Sequence, residues 1–229
     1  MRFLAYFLGV FAALFVLRQL PLVGGLFQVP ILGFFLAALV VSALVARGGT
    51  WLTQRNKLQR QLRELGEVDT PQRRGKLGRL LLQSGRPAQA LEPLREAIAE
   101  DPETVDWHYR LGMALLRTGE VDEAVTTLQR ARELDEGFAY GGVLLQLAAA
   151  AQAQGDFDLA LDALARFEIL QGPTPEQTYR RGLALKAKGD STEAKAAFAA
   201  VPAFVARVPK YQRAEARAWG LRAWWAGLI

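Results

Sequence analysis

The sequence predicts an all-α protein: an N-terminal transmembrane helical hairpin, then an α-solenoid of about four helix pairs, then a C-terminal capping helix. Three observations carry this. Two apolar runs near membrane length lie within the first 46 of 229 residues. Beyond them, Gly85, Gly119, Gly155 and Gly189 follow helical patterns at intervals of 34, 36 and 34 residues. Five residues after each glycine stands an alanine (Ala90, Ala124, Ala160, Ala194), and four after that a bulky apolar side chain (Leu94, Leu128, Leu164, Phe198). Self-similarity at such a period marks stacked supersecondary units.

The anchor is expected over residues 1–49. Phe3 to Leu20 spans 18 residues, and Leu26 to Ala46 spans 21. As helices they are roughly 27 and 31 Å long, against a hydrocarbon core about 30 Å thick. Arg18, near the end of the shorter run, is placed to snorkel to the headgroups. Between the runs, Pro21 and the Gly24-Gly25 pair suit a turn, with Pro30 early in the second helix. A signal peptide is the competing reading, but no A-x-A site follows the first run, and Val23-Gly24-Gly25 is a poor substitute. Arg2 on one side, and Arg47, Arg55, Lys57, Arg60 and Arg63 after the second run, place both ends of the hairpin in the cytoplasm. Small residues every fourth position (Ala5, Gly9, Ala13; Ala38, Ser42, Ala46) offer faces for close helix packing in lipid.

Residues 50–70 read as a basic juxtamembrane helix. Gly48 and Gly49 end the membrane helix and Thr50 is a candidate cap. Trp51, Leu58, Leu62 and Leu65 share one face, which Arg55 interrupts. Arg18, Arg47, Trp51, Arg55 and Lys57 are the candidate membrane-interface residues.

From Pro71 to Pro202 the chain repeats. The units are LGRLLLQSGRPAQALEPLREAIAEDP, LGMALLRTGEVDEAVTTLQRARELDE, LAAAAQAQGDFDLALDALARFEILQG and RGLALKAKGDSTEAKAAFAAVP. A second glycine precedes the first, second and fourth mid-repeat glycines by seven residues (Gly78, Gly112, Gly182), with Ala148 in the third unit. Small residues at these places let two antiparallel helices close together, Gly78 against Ala90 and Gly112 against Ala124. One pair cannot bury its own seam, so pairs stack. Thr70-Pro71 and Thr174-Pro175 read as N-cap followed by proline at N1, and Asp190 with Glu193 as a capping box.

This pattern resembles the tetratricopeptide repeat (TPR). The family's large aromatic early in helix A is replaced here by Arg74, His108, Leu144 and Thr178. The resemblance implies a right-handed solenoid whose helix-A side chains line a groove that holds a peptide or a partner helix. Carried onto this sequence, the groove positions are Lys76, Arg79 and Gln83; Tyr109, Arg110, Met113, Leu116 and Arg117; Leu145, Gln146, Ala149 and Gln152; and Glu176, Tyr179, Arg180 and Lys186. The carboxylate clamp of chaperone-binding members is not reproduced, since Gly75 and Arg79 stand at clamp positions.

Composition narrows the chemistry. With no cysteine, thiolate metal sites, disulfides and a cysteine nucleophile are excluded. The lone histidine, His108, falls at a packed position and reads as structural. No phosphate-loop glycines or metal-ligand spacings occur, so neither catalysis nor a cofactor is expected. Net charge is +5 overall but segregated: +4 over 1–70, +2 over 71–102, −7 over 103–174 and +6 over 175–229. Basic ends beside apolar segments favour an anionic bilayer, and the acidic middle disfavours nucleic acid.

Residues 203–229 are expected to form a capping and docking helix. Tyr211, Ala214, Ala218, Leu221, Trp225 and Leu228 make one apolar face, suited to covering the open end of the solenoid. Trp219 and Trp224 then point elsewhere, among Arg213, Arg217 and Arg222, as a docking surface for headgroups or another subunit.

The expected function is a membrane-anchored scaffold that binds a protein partner, with the repeats on the cytoplasmic side of a bacterial inner membrane. Two alternatives remain open at this stage: an accessory subunit of a larger membrane complex, bound through hairpin and tail, or a regulatory subunit of a membrane enzyme. The architecture resembles that of bacterial inner-membrane proteins with two N-terminal spans and cytoplasmic repeats, and the excess of Arg over Lys, 22 to 6, fits a GC-rich genome. The pattern carries no signature of a particular oligomeric state.

Overall fold

The structure, a computed structural model, describes residues 70–228 and only isolated positions upstream (12, 40, 41, 43 and 60). The expected spans 3–20 and 26–46 and the neck, with Arg18, Arg47, Trp51, Arg55 and Lys57, fall outside the described residues. No helix among the described residues is long and apolar enough to cross a membrane. The chain divides into two units, Met1–Glu64 and Leu65–Ile229. The second carries everything that follows.

Its residues form nine described α-helices and no described strand. They are α1 (Pro71–Gln83), α2 (Pro87–Glu100), α3 (Val105–Thr118), α4 (Val121–Leu134), α5 (Phe138–Gln154), α6 (Phe157–Gln171), α7 (Pro175–Lys188), α8 (Ser191–Arg207) and α9 (Arg213–Leu228), with a 3₁₀ turn at Lys210–Gln212. The pairs α1–α2, α3–α4, α5–α6 and α7–α8 are the four expected units. Each second helix packs on the next first helix, and the first helices α1, α3, α5, α7 and α9 touch in series. So α9 takes the place of a fifth first helix. It begins four residues after Pro209, because the 3₁₀ turn intervenes.

Local chemistry explains the boundaries. Thr70 Oγ1 accepts from the Arg73 N–H at 3.4 Å and Thr174 Oγ1 from the Gln177 N–H at 3.2 Å, each ahead of a proline that has no N–H to satisfy. The mid-repeat glycines reverse the chain with φ of 76°, 93°, 91° and 102° at Gly85, Gly119, Gly155 and Gly189. The expected capping box at Asp190 does not form: its side chain caps nothing, and its own N–H, which Glu193 would have to receive, already donates to the Leu185 carbonyl at 2.9 Å. Asp156 caps instead, accepting from the Leu159 N–H at 2.9 Å.

The seam within each pair is tighter than the alanine pairing anticipates. A Cβ placed on Gly78 would lie 2.8 Å from Leu94 Cδ2, on Gly112 2.8 Å from Leu128 Cδ2, and on Gly182 2.7 Å from Phe198 Cδ1. The glycine is therefore a socket for the bulky residue nine positions after the mid-repeat glycine, while Ala90 and Ala124 sit buried beside it. Between units, Trp107 lies against Gly75, whose absent Cβ would stand 2.7 Å from Trp107 Cδ1. His108 is buried and hydrogen-bonds the Pro102 carbonyl at 2.8 Å through Nε2, a structural role.

Two glycine-to-alanine changes separate these roles. Gly112→Ala overpacks Leu128 and should cost about 1–3 kcal/mol in urea unfolding. Its extra cost should shrink in a Leu128→Ala background. Gly119→Ala has open space around it but a left-handed backbone, and should cost about 1–2 kcal/mol in either background.

Candidate interaction groove

The intervals between mid-repeat glycines are 34, 36 and 34, and the longer one has a structural counterpart. Helices α2 and α4 both have 14 residues, so the two additional residues fall between α4 and the regular part of α5. There Ala139 (φ 54°, ψ 40°), Tyr140 (55°, 46°) and Gly141 (75°, 11°) form a left-handed turn. Asp135 Oδ1 accepts from the Gly137 N–H at 2.9 Å, and the Gly141 N–H donates to the Gly137 carbonyl at 3.0 Å, closing it. Gly141 is buried against Phe167 and leaves no room for a Cβ. Left-handed alanine and tyrosine each carry roughly 1–2 kcal/mol of strain. Tyr140 nonetheless stands 88% exposed, so its own burial does not offset that strain.

This turn forms one rim of a groove of about 330 Å³. Leu145 and Phe167 line it from the third unit, Thr174, Pro175 and Glu176 from the start of α7, and Val208, Gln212, Glu215, Ala216 and Trp219 from the tail. The lining mixes apolar and polar side chains and includes two carboxylates. Glu176 is engaged by Arg180 at 2.8 Å. Among the described residues, Glu215 has no such partner, so the groove presents an available anionic group beside an apolar floor.

Of the groove positions predicted from the repeat pattern, Leu145 and Glu176 line this cavity. Lys76, Gln83, Arg117 and Lys186 are exposed; Arg79, Tyr109, Arg110, Met113, Leu116, Gln146, Ala149, Gln152, Tyr179 and Arg180 are half-buried. Several of them tie the frame together. Arg117 donates to the Leu82 carbonyl of the preceding unit at 3.2 Å, and Gln152 to the Arg180 carbonyl of the following one at 2.8 Å. Arg110 pairs with Asp106 at 2.8 Å, while Asp106 Oδ1 is buried with no hydrogen-bond partner. Tyr109 packs edge-on to Phe138, ring centroids 5.7 Å apart, and its hydroxyl lies close to Gly142. It buttresses the left-handed turn from behind. Burial raises the Tyr109 phenol above its usual 10.0, with the cation of Arg110 opposing.

The tail departs from expectation. The face meant to cap the solenoid is outward: Tyr211 is 83% exposed, Leu221 66%, Trp225 62% and Leu228 62%. The inward face is built of small residues, with Ala216 and Ala223 buried and Ala226 packed beside them. Trp219, expected among exposed arginines, packs on Tyr179 with ring centroids 5.6 Å apart, and the Arg222 guanidinium lies 4.4 Å from its ring centroid. The reason is that Trp219 and small residues already occupy the surface of α7 and α8, which leaves the larger side chains outside. Trp224 remains 61% exposed and Arg217 exposed, while Arg213 turns back to the Val208 carbonyl at 3.0 Å.

A second cavity, about 420 Å³, lies where α6, α7 and α8 meet. Its wall includes Thr178, which occupies the position of the large helix-A aromatic. Within its wall Gln177 is engaged: its Nε2 donates to the Leu164 carbonyl at 3.2 Å and to Glu168 at 3.1 Å.

Tyr140 and the tail side of the groove were not anticipated. The six-residue run GFAYGG, residues 137–142, was the available signal, since so many glycines do not open an ordinary helix.

Two family profiles described as tetratricopeptide repeat match residues 76–137 and 141–166. The chain thus carries tetratricopeptide repeats in an all-α solenoid. Solved structures of similar fold include MamA (21% identity, 76% of this chain and 91% of that one, TM-score 0.56). Another is TTC0263, a thermophilic TPR protein of Thermus thermophilus (24%, 80% and 97%, TM-score 0.57). A third is a putative kinesin light chain of Podosopora anserina with nearly identical TPR-like repeats (22%, 69% and 89%, TM-score 0.54). No curated protein matches.

The buttress is open to a titration test. Because the Tyr109 phenol is raised in the folded state, its contribution to stability is full below pH 10 and declines as pH climbs through the folded value. Tyr109→Phe should flatten the alkaline fall of the unfolding midpoint, and ultraviolet titration should show a late-ionising phenol in the wild type that is lost in the variant. The turn makes a separate forecast: Tyr140→Gly should leave stability unchanged or raise it by about 1 kcal/mol, read from urea unfolding.

Proposed function

We propose that this chain is a membrane-anchored scaffold that holds a protein partner, or helps assemble one, at the cytoplasmic face of a bacterial inner membrane. The observation that carries the partner site is the groove between α5, α7 and α9, with the strained, exposed Tyr140 on its rim. A tyrosine held in a costly conformation without burying itself fits a ligand contact better than a packing role. Tetratricopeptide domains bind protein partners, and this groove lies along the first-helix face that such domains use. Its apolar floor with Glu215 beside it suits a short segment carrying apolar anchors and a basic side chain. The membrane placement draws on the two apolar runs and the basic residues that flank them.

Mild-detergent purification of the full chain, followed by identification of co-purifying proteins, tests the groove. Replacing Tyr140 with Ser and Glu215 with Lys together should remove the wild-type partner while leaving the unfolding curve unchanged. The same partner in equal yield with both chains would sink the groove reading. Orientation is tested apart: protease added to right-side-out vesicles should spare the repeats, and their digestion would refute it.

A further inference from the structure

Several of the exposed large apolar side chains among the described residues lie on the outer face of α9. Ala214, Ala218, Leu221, Trp225 and Leu228 recur at the 4-3-4-3 spacing of one helical stripe. Leu221, Trp225 and Leu228 are each more than three-fifths exposed. Trp224 and Arg217 flank the stripe on one side and Arg222 on the other. Trp224 and Trp225 meet edge-to-face, ring centroids 5.7 Å apart, presenting two indoles at one end of the helix. Directly opposite, Ala216, Trp219 and Ala223 face α7 and α8. The helix has an apolar side in the protein and a second one outside it.

We infer that α9 is an interfacial helix, and that its outer stripe lies on an anionic lipid surface. Charge complementarity selects this occupant. Residues 203–229 hold five basic side chains (Arg207, Lys210, Arg213, Arg217, Arg222) and one acidic, Glu215, which lines the groove. An apolar stripe bordered by arginines, with tryptophans at its edge, is the composition of a helix lying in the headgroup region. The acidic body of the solenoid, −7 over residues 103–174, would be repelled by the same surface, so the basic end is the one that approaches it. A second copy of α9 fits less well. A two-fold contact sets the same patch against itself, bringing Arg217 and Arg222 toward their own equivalents with no carboxylate on the outer stripe to receive them. The inference rests on the membrane placement proposed above but not on the groove.

The absence of cysteine makes the test direct. The full chain carrying Leu221→Cys is labelled with a nitroxide and reconstituted into vesicles of phosphatidylcholine alone or mixed with phosphatidylglycerol. A Thr126→Cys chain, labelled on the exposed side of α4, serves as reference. In the anionic vesicles, collisions at position 221 should be more frequent with oxygen than with a polar nickel complex, whereas position 126 should favour the nickel complex in both. Each basic side chain at an anionic surface is worth about fivefold, so Arg217→Gln with Arg222→Gln should lower the ratio of docked to undocked helix about 30-fold. Flotation of the same vesicles reports the anchor independently. Flotation with position 221 open to the nickel complex in anionic vesicles would overturn the docking and leave the anchor standing. Shielding from both reagents with spin–spin broadening would overturn it in favour of a second copy. Shielding from both without broadening would overturn it in favour of another protein.

Discussion

The contact on which the repeat domain depends is the one between a glycine and the large side chain that occupies its missing Cβ. Gly78 receives Leu94, Gly112 receives Leu128 and Gly182 receives Phe198. Leu94, Leu128 and Leu164 are wholly buried, each worth about 1.5–3 kcal/mol of burial. For Leu94 and Leu128 the position observed requires a helix-A backbone with no side chain at the contact. A glycine inside a helix costs roughly 0.5–1 kcal/mol relative to alanine, so each socket is a net gain only when the large residue is present. The pairing ties two positions 16 residues apart and thereby sets the register of the two helices. In the third unit Ala148 takes the glycine's place, and both Ala148 and Leu164 are still fully buried. This is also the unit whose first helix begins with a left-handed turn.

Stacking of one unit on the next uses different chemistry. Trp107 covers Gly75, and a set of ion pairs joins residues about one repeat apart. Arg95 meets Glu120 and Glu123, Arg130 meets Glu103, Arg132 meets Asp162, and Lys188 meets Asp158. Arg166 pairs with Glu136 in the same manner. Such exposed pairs add little stability individually, because water screens them. Their consequence is alignment: the carboxylates concentrated between residues 103 and 174 are met by cations on adjoining units. An acidic middle and basic flanks are therefore partly an internal matter of stacking. The charge left over at the C-terminal end is what faces outward.

The fold was largely legible because its causes are local and periodic. Thr70 and Thr174 cap as their sequences imply, and the four mid-repeat glycines reverse the chain where the spacing places them. Partner identity within the seam was less legible. Gly78 and Ala90 are both small and both buried, and only three-dimensional geometry reveals that Leu94 fills the gap. The groove was legible at Leu145 and Glu176 but not at Tyr140, because a left-handed tyrosine follows from no propensity. It follows from fitting two additional residues between α4 and α5. The tail misled for a related reason. Hydrophobicity alone points the Leu221–Trp225–Leu228 face inward, yet the surface α9 meets is already occupied by Trp219 and small residues. Sequence periodicity identifies two faces of a helix. Which one is buried depends on the shape of what it packs against.

That inversion joins the two surfaces of the C-terminal end. The last helix of a stacked array has to satisfy the unit beneath it and whatever lies beyond. Here α9 satisfies α7 and α8 with small residues and Trp219, and lends Glu215, Ala216 and Trp219 to the groove wall. Its large apolar side chains are consequently free for the far side. The shape of the groove therefore depends on where α9 is seated, since three of its lining residues belong to that helix. Arg222 stacks on Trp219 from outside at 4.4 Å, and Arg180 approaches the same ring at 6.0 Å from the repeat side. Two cations on one indole, one belonging to each surface, place Trp219 at the junction of groove and tail.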